Sequence, residues 1–149
     1  MFETYEINSS TLAIVPITEG ISKIIEEDNV FTVSKSPTEI IDDSCKYFGS
    51  SYQGRFEGTK RLTGINYKSP IIIEETRNII FFPTSSPRFH NCTWVALNQI
   101  DNFEKMKNNS VITFESGQLL KLEISYGSLE NQILRATRLE SILKKRKEL

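Results

Sequence analysis

Residues 111–143 read VITFESGQLLKLEISYGSLENQILRATRLESIL, and this stretch decides the fold class. Residues 111–114 and 119–124 are short runs of β-branched and leucine residues around Glu115-Ser116-Gly117-Gln118, the pattern of a hairpin. The periodicity then changes. Leu129, Ile133, Ala136, Leu139 or Glu140, and Leu143 recur at helical spacing, which predicts a long last helix. Ser128 is its expected cap, and Glu130 suits the positive N-terminal end of the dipole.

Upstream, residues 11–17 form an apolar, β-branched strand, and residues 22–26 and 30–34 flank a Glu-Asp-Asn turn as a second hairpin. A helix follows. Ser36 caps it, Pro37 takes the first helical position and Glu39 completes a capping box. Ile40, Ile41, Cys45 and Phe48 form its apolar face, and Gly49 ends it. Residues 65–67, 70–74, 79–82 and 94–97 are further expected strands. Strands interrupted by two or three helices without regular βαβ alternation predict an α+β fold with a mainly antiparallel sheet. No linker, repeat or Pro-rich tract divides the chain, so residues 1–149 are read as a single domain.

Composition narrows the class. The chain has 149 residues, of which 38% are hydrophobic and 25% charged, so it supports one soluble globular core. No apolar run approaches the ~20 residues of a membrane span, and the first residues lack the basic and apolar regions of a signal peptide. A cytoplasmic protein with no membrane association is expected. Cys45 and Cys92 are too few and too distant for a disulfide framework or a zinc site. His90, the only histidine, lies two residues from Cys92 without a recognisable orienting group, so neither catalysis nor a metal or other cofactor is expected.

Net charge is −1, but it is unevenly spread. Residues 1–44 carry nine acids against Lys23 and Lys35, and residues 45–149 carry sixteen bases against ten acids. An acidic end and a basic surface can coexist, and the basic part can steer a polyanion. Ordinary surface charge explains the same asymmetry, so charge alone does not decide the partner.

Residues 45–64, CKYFGSSYQGRFEGTKRLTG, hold four of the seven glycines, interleaved with Tyr47, Phe48, Tyr52 and Phe56 and with Lys46, Arg55, Lys60 and Arg61. Glycine lets a backbone approach a ligand closely, and the basic side chains suit phosphates. If Ser50 or Ser51 caps a second helix, its N-terminus is a further phosphate site. The competing reading is a solvated turn region whose aromatics belong to the core. The glycine order matches neither a phosphate loop nor a dinucleotide fingerprint.

The segment from Ser44 to Arg55, SCKYFGSSYQGR, followed by Gly58-Thr59, resembles the central signature of the competence transcription factors of the ComK type. A second match runs from Ile124 to Ile133, ISYGSLENQI, and on to Arg135 and Leu139. Tyr5-Glu6, residues 12–16, residues 22–26 and Phe82-Pro83-Thr84 add weaker matches, so the resemblance covers nearly the whole chain. It implies a transcription activator that binds paired A·T-rich boxes of double-stranded DNA through the minor groove, as a homodimer or higher homo-oligomer. It also implies an adaptor that delivers the protein to a cytosolic AAA+ protease. Family members often continue beyond the Lys144–Leu149 end of this sequence, in a tail implicated in activation and degradation.

The minor groove distinguishes mainly A·T from G·C, and A-tracts narrow it and attract arginine. Arg55, beside Gly54, is the first choice for such an insertion. Lys46, Lys60 and Arg61 are assigned to phosphates, Ser50, Ser51 and Tyr52 to the same DNA-binding segment, and Arg135 to an added contact from the last helix. Arg138 is read as a solvated position. Leu129, Ile133, Ala136 and Leu139 are the hypothesised dimer surface, although the same stripe serves equally as core. The alternatives are a protein-interaction module with weak or no DNA binding, and an RNA binder that stacks Tyr47, Tyr52 and Phe56 on unpaired bases.

Overall fold

The computed structural model describes residues 1–148. Strands β1 (Thr11–Thr18), β2 (Ile21–Glu26) and β3 (Val30–Val33) form a meander, followed by helices α1 (Pro37–Tyr47) and α2 (Tyr52–Thr63). Strands β4 (Ile71–Glu74), β5 (Ile79–Pro83) and β6 (Trp94–Ala96) return to the same sheet, whose order is β3-β2-β1-β6-β5-β4. Strands β7 (Ile100–Met106), β8 (Asn109–Phe114) and β9 (Leu119–Leu122) make a second sheet, and helix α3 (Tyr126–Lys147) ends the described chain. All strand pairs in both sheets are antiparallel. The α+β fold with a long C-terminal helix is the one expected.

The six-stranded sheet is covered on both faces, which is why its central strands are apolar throughout. Ile14, Ile24, Ile71, Ile73, Phe81 and Trp94 pack under α1 with Ile40, Ile41 and Cys45, and Tyr52 and Phe56 of α2 join them. Their neighbours Ala13, Ile25, Ile72, Phe82 and Val95 face the other way. They meet Ile112, Phe114, Leu120 and Leu122 of the small sheet and Leu129, Ala136, Leu139 and Leu143 of α3. This corrects the hypothesised dimer surface. Leu129, Ala136 and Leu139 are fully buried within one chain and Ile133 packs beside them, so the stripe is core.

Helix α1 begins as its chemistry dictates. The Glu39 amide donates to Ser36 Oγ at 3.2 Å, and the Ser36 amide donates to Glu39 Oε1 at 3.2 Å. Three details depart from the expectation. Helix α3 starts one turn earlier, capped by Ser125, whose Oγ accepts from the Ser128 amide at 3.1 Å. Residues 65–67 are irregular, not a strand. They lie between the left-handed Gly64 that ends α2 and Lys68 at φ 47°. Strand β7 was not expected, because Asp101, Asn102, Glu104 and Lys105 give it a polar face on both sides.

Candidate nucleic-acid interface

The glycine-rich segment is helical. Ser51 is the N-cap of α2, its Oγ accepting from the Gly54 amide at 2.9 Å, and Gly64 at φ 81° closes the helix. Gly54 has a local reason to be glycine. A Cβ there would lie 2.8 Å from Ser50 Oγ and 3.2 Å from Ser51 Oγ, in the cap itself. At Gly58 an added Cβ meets nothing within 4 Å, so packing does not demand glycine there.

Helix α2 has two sides. Tyr52 stacks on Phe56 at 6.4 Å and meets Trp94 edge-on at 6.2 Å, while Thr59 is buried and its hydroxyl donates to the Pro70 carbonyl at 2.8 Å. Gln53, Gly54, Glu57, Lys60 and Arg61 are exposed on the other side. Gln53 Nε2 donates to Glu57 Oε1 at 3.0 Å, which occupies the one acid on this face. Among the described residues Arg55, Lys60 and Arg61 make no ion pair. Lys60 and Arg61 also suit the negative C-terminal end of the helix.

The start of α2 is a different environment. The Tyr52 amide donates to Asp42 Oδ1 at 2.8 Å, so an acid of α1 already sits where a phosphate would bind. That hydrogen bond, helped by Lys46, holds the Asp42 carboxyl below its usual range. Lys46 Nζ lies 2.9 Å from Asp42 Oδ2, so its charge is locally balanced. Ser50 ends the turn after α1, its amide donating to the Cys45 carbonyl at 2.9 Å.

Arg55 is half-buried beside Cys45, and its Nε has neither solvent nor an acceptor. Burial pushes the Cys45 thiol up to about 12, opposed by the Arg55 guanidinium, so the thiol stays protonated and unreactive at neutral pH. Cys92 is likewise buried and raised by desolvation. His90 is exposed in the turn after β5.

Arg135 stands apart from the α2 face in its bonding. Its guanidinium donates to the Tyr67 carbonyl and to Gln132 Oε1, both at 2.6 Å, and lies 4.9 Å from the Tyr67 ring centroid. Gln132 in turn donates to the carbonyls of Lys68 and Pro83. The structure therefore gives Arg135 a role in fixing residues 65–70 onto α3. No sequence signal distinguished this arginine from a free one, because its partners are backbone carbonyls far along the chain.

No helix among the described residues is long and apolar enough to cross a membrane, and none of their His, Cys, Asp and Glu side chains cluster as a metal site. No solved structure matches the chain. The chain is 41% identical over 139 residues to the competence transcription factor of Bacillus subtilis (strain 168), an alignment covering 89% of this chain and 71% of that protein. The family model described as ComK protein matches residues 2–148. With nearly its whole length inside that match, the chain belongs to the ComK family.

Proposed function

We propose that this chain is a competence transcription regulator that binds A·T-rich duplex DNA through the minor groove and works as an oligomer in the cytoplasm. Family membership supports the regulatory role. The observation that carries the DNA-binding reading is the exposed side of α2. There Gly54 and Gly58 leave backbone bare beside Lys60 and Arg61, two cations without a carboxylate partner among the described residues. In this reading Lys60 and Arg61 hold phosphates, and Arg55 turns its guanidinium into a narrowed groove. Ser50, Ser51 and Tyr52 set the position of the helix rather than supply charge, and Lys46 contributes less because Asp42 sits on it. The family resemblance also supports delivery by an adaptor to a cytosolic AAA+ protease.

The test is a salt series on A·T-rich and G·C-rich duplexes. Lys60→Ala or Arg61→Ala is expected to weaken binding to both and to flatten the log–log salt slope by about one unit. Arg55→Ala is expected to lose A·T preference as well as affinity. Folded variants with unchanged affinity, slope and preference would remove α2 from the interface.

A further inference from the structure

The β7–β8 hairpin carries a second feature that the α2 face does not use. Residues 104–109, EKMKNN, are all exposed, although Phe103 before them is half-buried and Ser110 after them is buried. The ladder continues to the end, with Lys105 opposite Ser110 and Met106 opposite Asn109, so the tip is a paired ribbon. The Met106–Asn109 pair and the two-residue turn extend past Ser110, which is buried and pairs with Lys105.

The lysines of the tip have no evident task in the fold, and Met106 keeps part of its surface open. Met106 is 38% exposed. Lys105 and Lys107 make no ion pair among the described residues. Glu104, the one acid of the tip, pairs across Val111 and shares a face with Met106, while Lys105 pairs across Ser110 on the other face. Lys107 occupies the turn at φ 55°, a conformation that hairpin turns ordinarily give to glycine, asparagine or aspartate.

We propose that this tip is a second DNA contact, in which Met106 wedges into the minor groove while Lys105 and Lys107 hold the flanking phosphates. The inference rests on the DNA-binding reading above and adds a site in the other sheet. Paired strands lie about 4.8 Å apart between backbones, so the tip enters the ~6 Å minor groove only as the duplex is kinked and the groove opened, where A·T pairs present only acceptors. Asn108 and Asn109 supply amide donors for them. An apolar side chain flanked by lysine and asparagine is the chemistry by which minor-groove proteins unstack a base step and kink the duplex.

The experiment uses the full chain and an A·T-rich duplex labelled at both ends, with affinity read at several salt concentrations and bending read by energy transfer. Met106→Ala is expected to reduce the bend and weaken binding several-fold. The pair Lys105→Ala with Lys107→Ala is expected to flatten the salt slope by about two units. Lys107→Gly relieves the turn, so its thermal stability should hold or rise while the slope falls by about one unit. If these variants bind and bend DNA as the parent does while Arg61→Ala loses affinity, the DNA reading stands and the hairpin contact is wrong, with the tip left to a protein partner. A parent without affinity for any duplex overturns the reading and the hairpin contact together.

Discussion

Two glycines four positions apart on α2 are subject to different constraints. At Gly58 a methyl group meets open space, so Gly58→Ala is expected to raise stability by about 1 kcal/mol through helix propensity. At Gly54 the same gain is partly offset, because the new Cβ forces the Ser50 hydroxyl aside and crowds the Ser51 hydroxyl that makes a cap of about 1 kcal/mol. Thermal melts of the two variants should differ in that order, and Gly58→Ala should also weaken duplex binding if the bare face is the contact. Asp42 offers a pH test at the same helix. Its folded-state carboxyl is held below the ordinary value of about 3.9 by the Tyr52 amide and then by Lys46. The ionised group therefore stabilises the fold fully above that value, and the contribution is lost as pH falls through the depressed one. Asp42→Asn should be less stable than the parent at pH 7, with the difference shrinking in acid. Parallel stability curves from pH 7 to 2 would contradict that linkage. The Asp42 contact was not legible from the residues alone, because Asp42 and Tyr52 meet only after α1 and α2 pack.

Among the elements, α1 was readable in full: Ser36, Pro37 and Glu39 are local signals, and local geometry satisfies them. Helix α2 was readable only as a condition on Ser50 or Ser51, since Gly54 and Gly58 lower helix propensity while Thr59 on the Pro70 carbonyl and Tyr52 against Trp94 tie the helix to its surroundings. Strand β7 was missed because pairing with β8, not an apolar pattern, makes it a strand. The start of α3 was misplaced by three residues, because Ser125 and Ser128 are equivalent as cap chemistry and only the accepted amide distinguishes them. Ser125→Ala is accordingly expected to cost about 1 kcal/mol and Ser128→Ala much less, as read by denaturant midpoints. Arg135→Ala should destabilise by roughly 1–3 kcal/mol through its two carbonyl and amide acceptors. Its salt slope on DNA should stay near that of the parent if its work is to fix residues 65–70.

At the scale of the molecule, one six-stranded sheet separates two cores. Helices α1 and α2 cover one face, and the three-stranded sheet with α3 covers the other. Adjacent apolar residues such as Phe81 and Phe82 face opposite cores, a division that the strand pattern alone does not assign. Leu139 lies in the second core, so Leu139→Glu is expected to unfold the chain rather than release a folded monomer. Circular dichroism with sedimentation distinguishes the two outcomes. The central claim is that a near-neutral protein reads A·T-rich duplex through the minor groove, and competition measures it most directly. The full chain is bound to an A·T-rich duplex and challenged either with a small minor-groove ligand or by methylation of major-groove positions. The ligand is expected to displace the protein and methylation to leave binding nearly intact, with G·C-rich duplex bound much more weakly. Displacement by major-groove methylation alone, or equal affinity for both duplexes, would contradict the account.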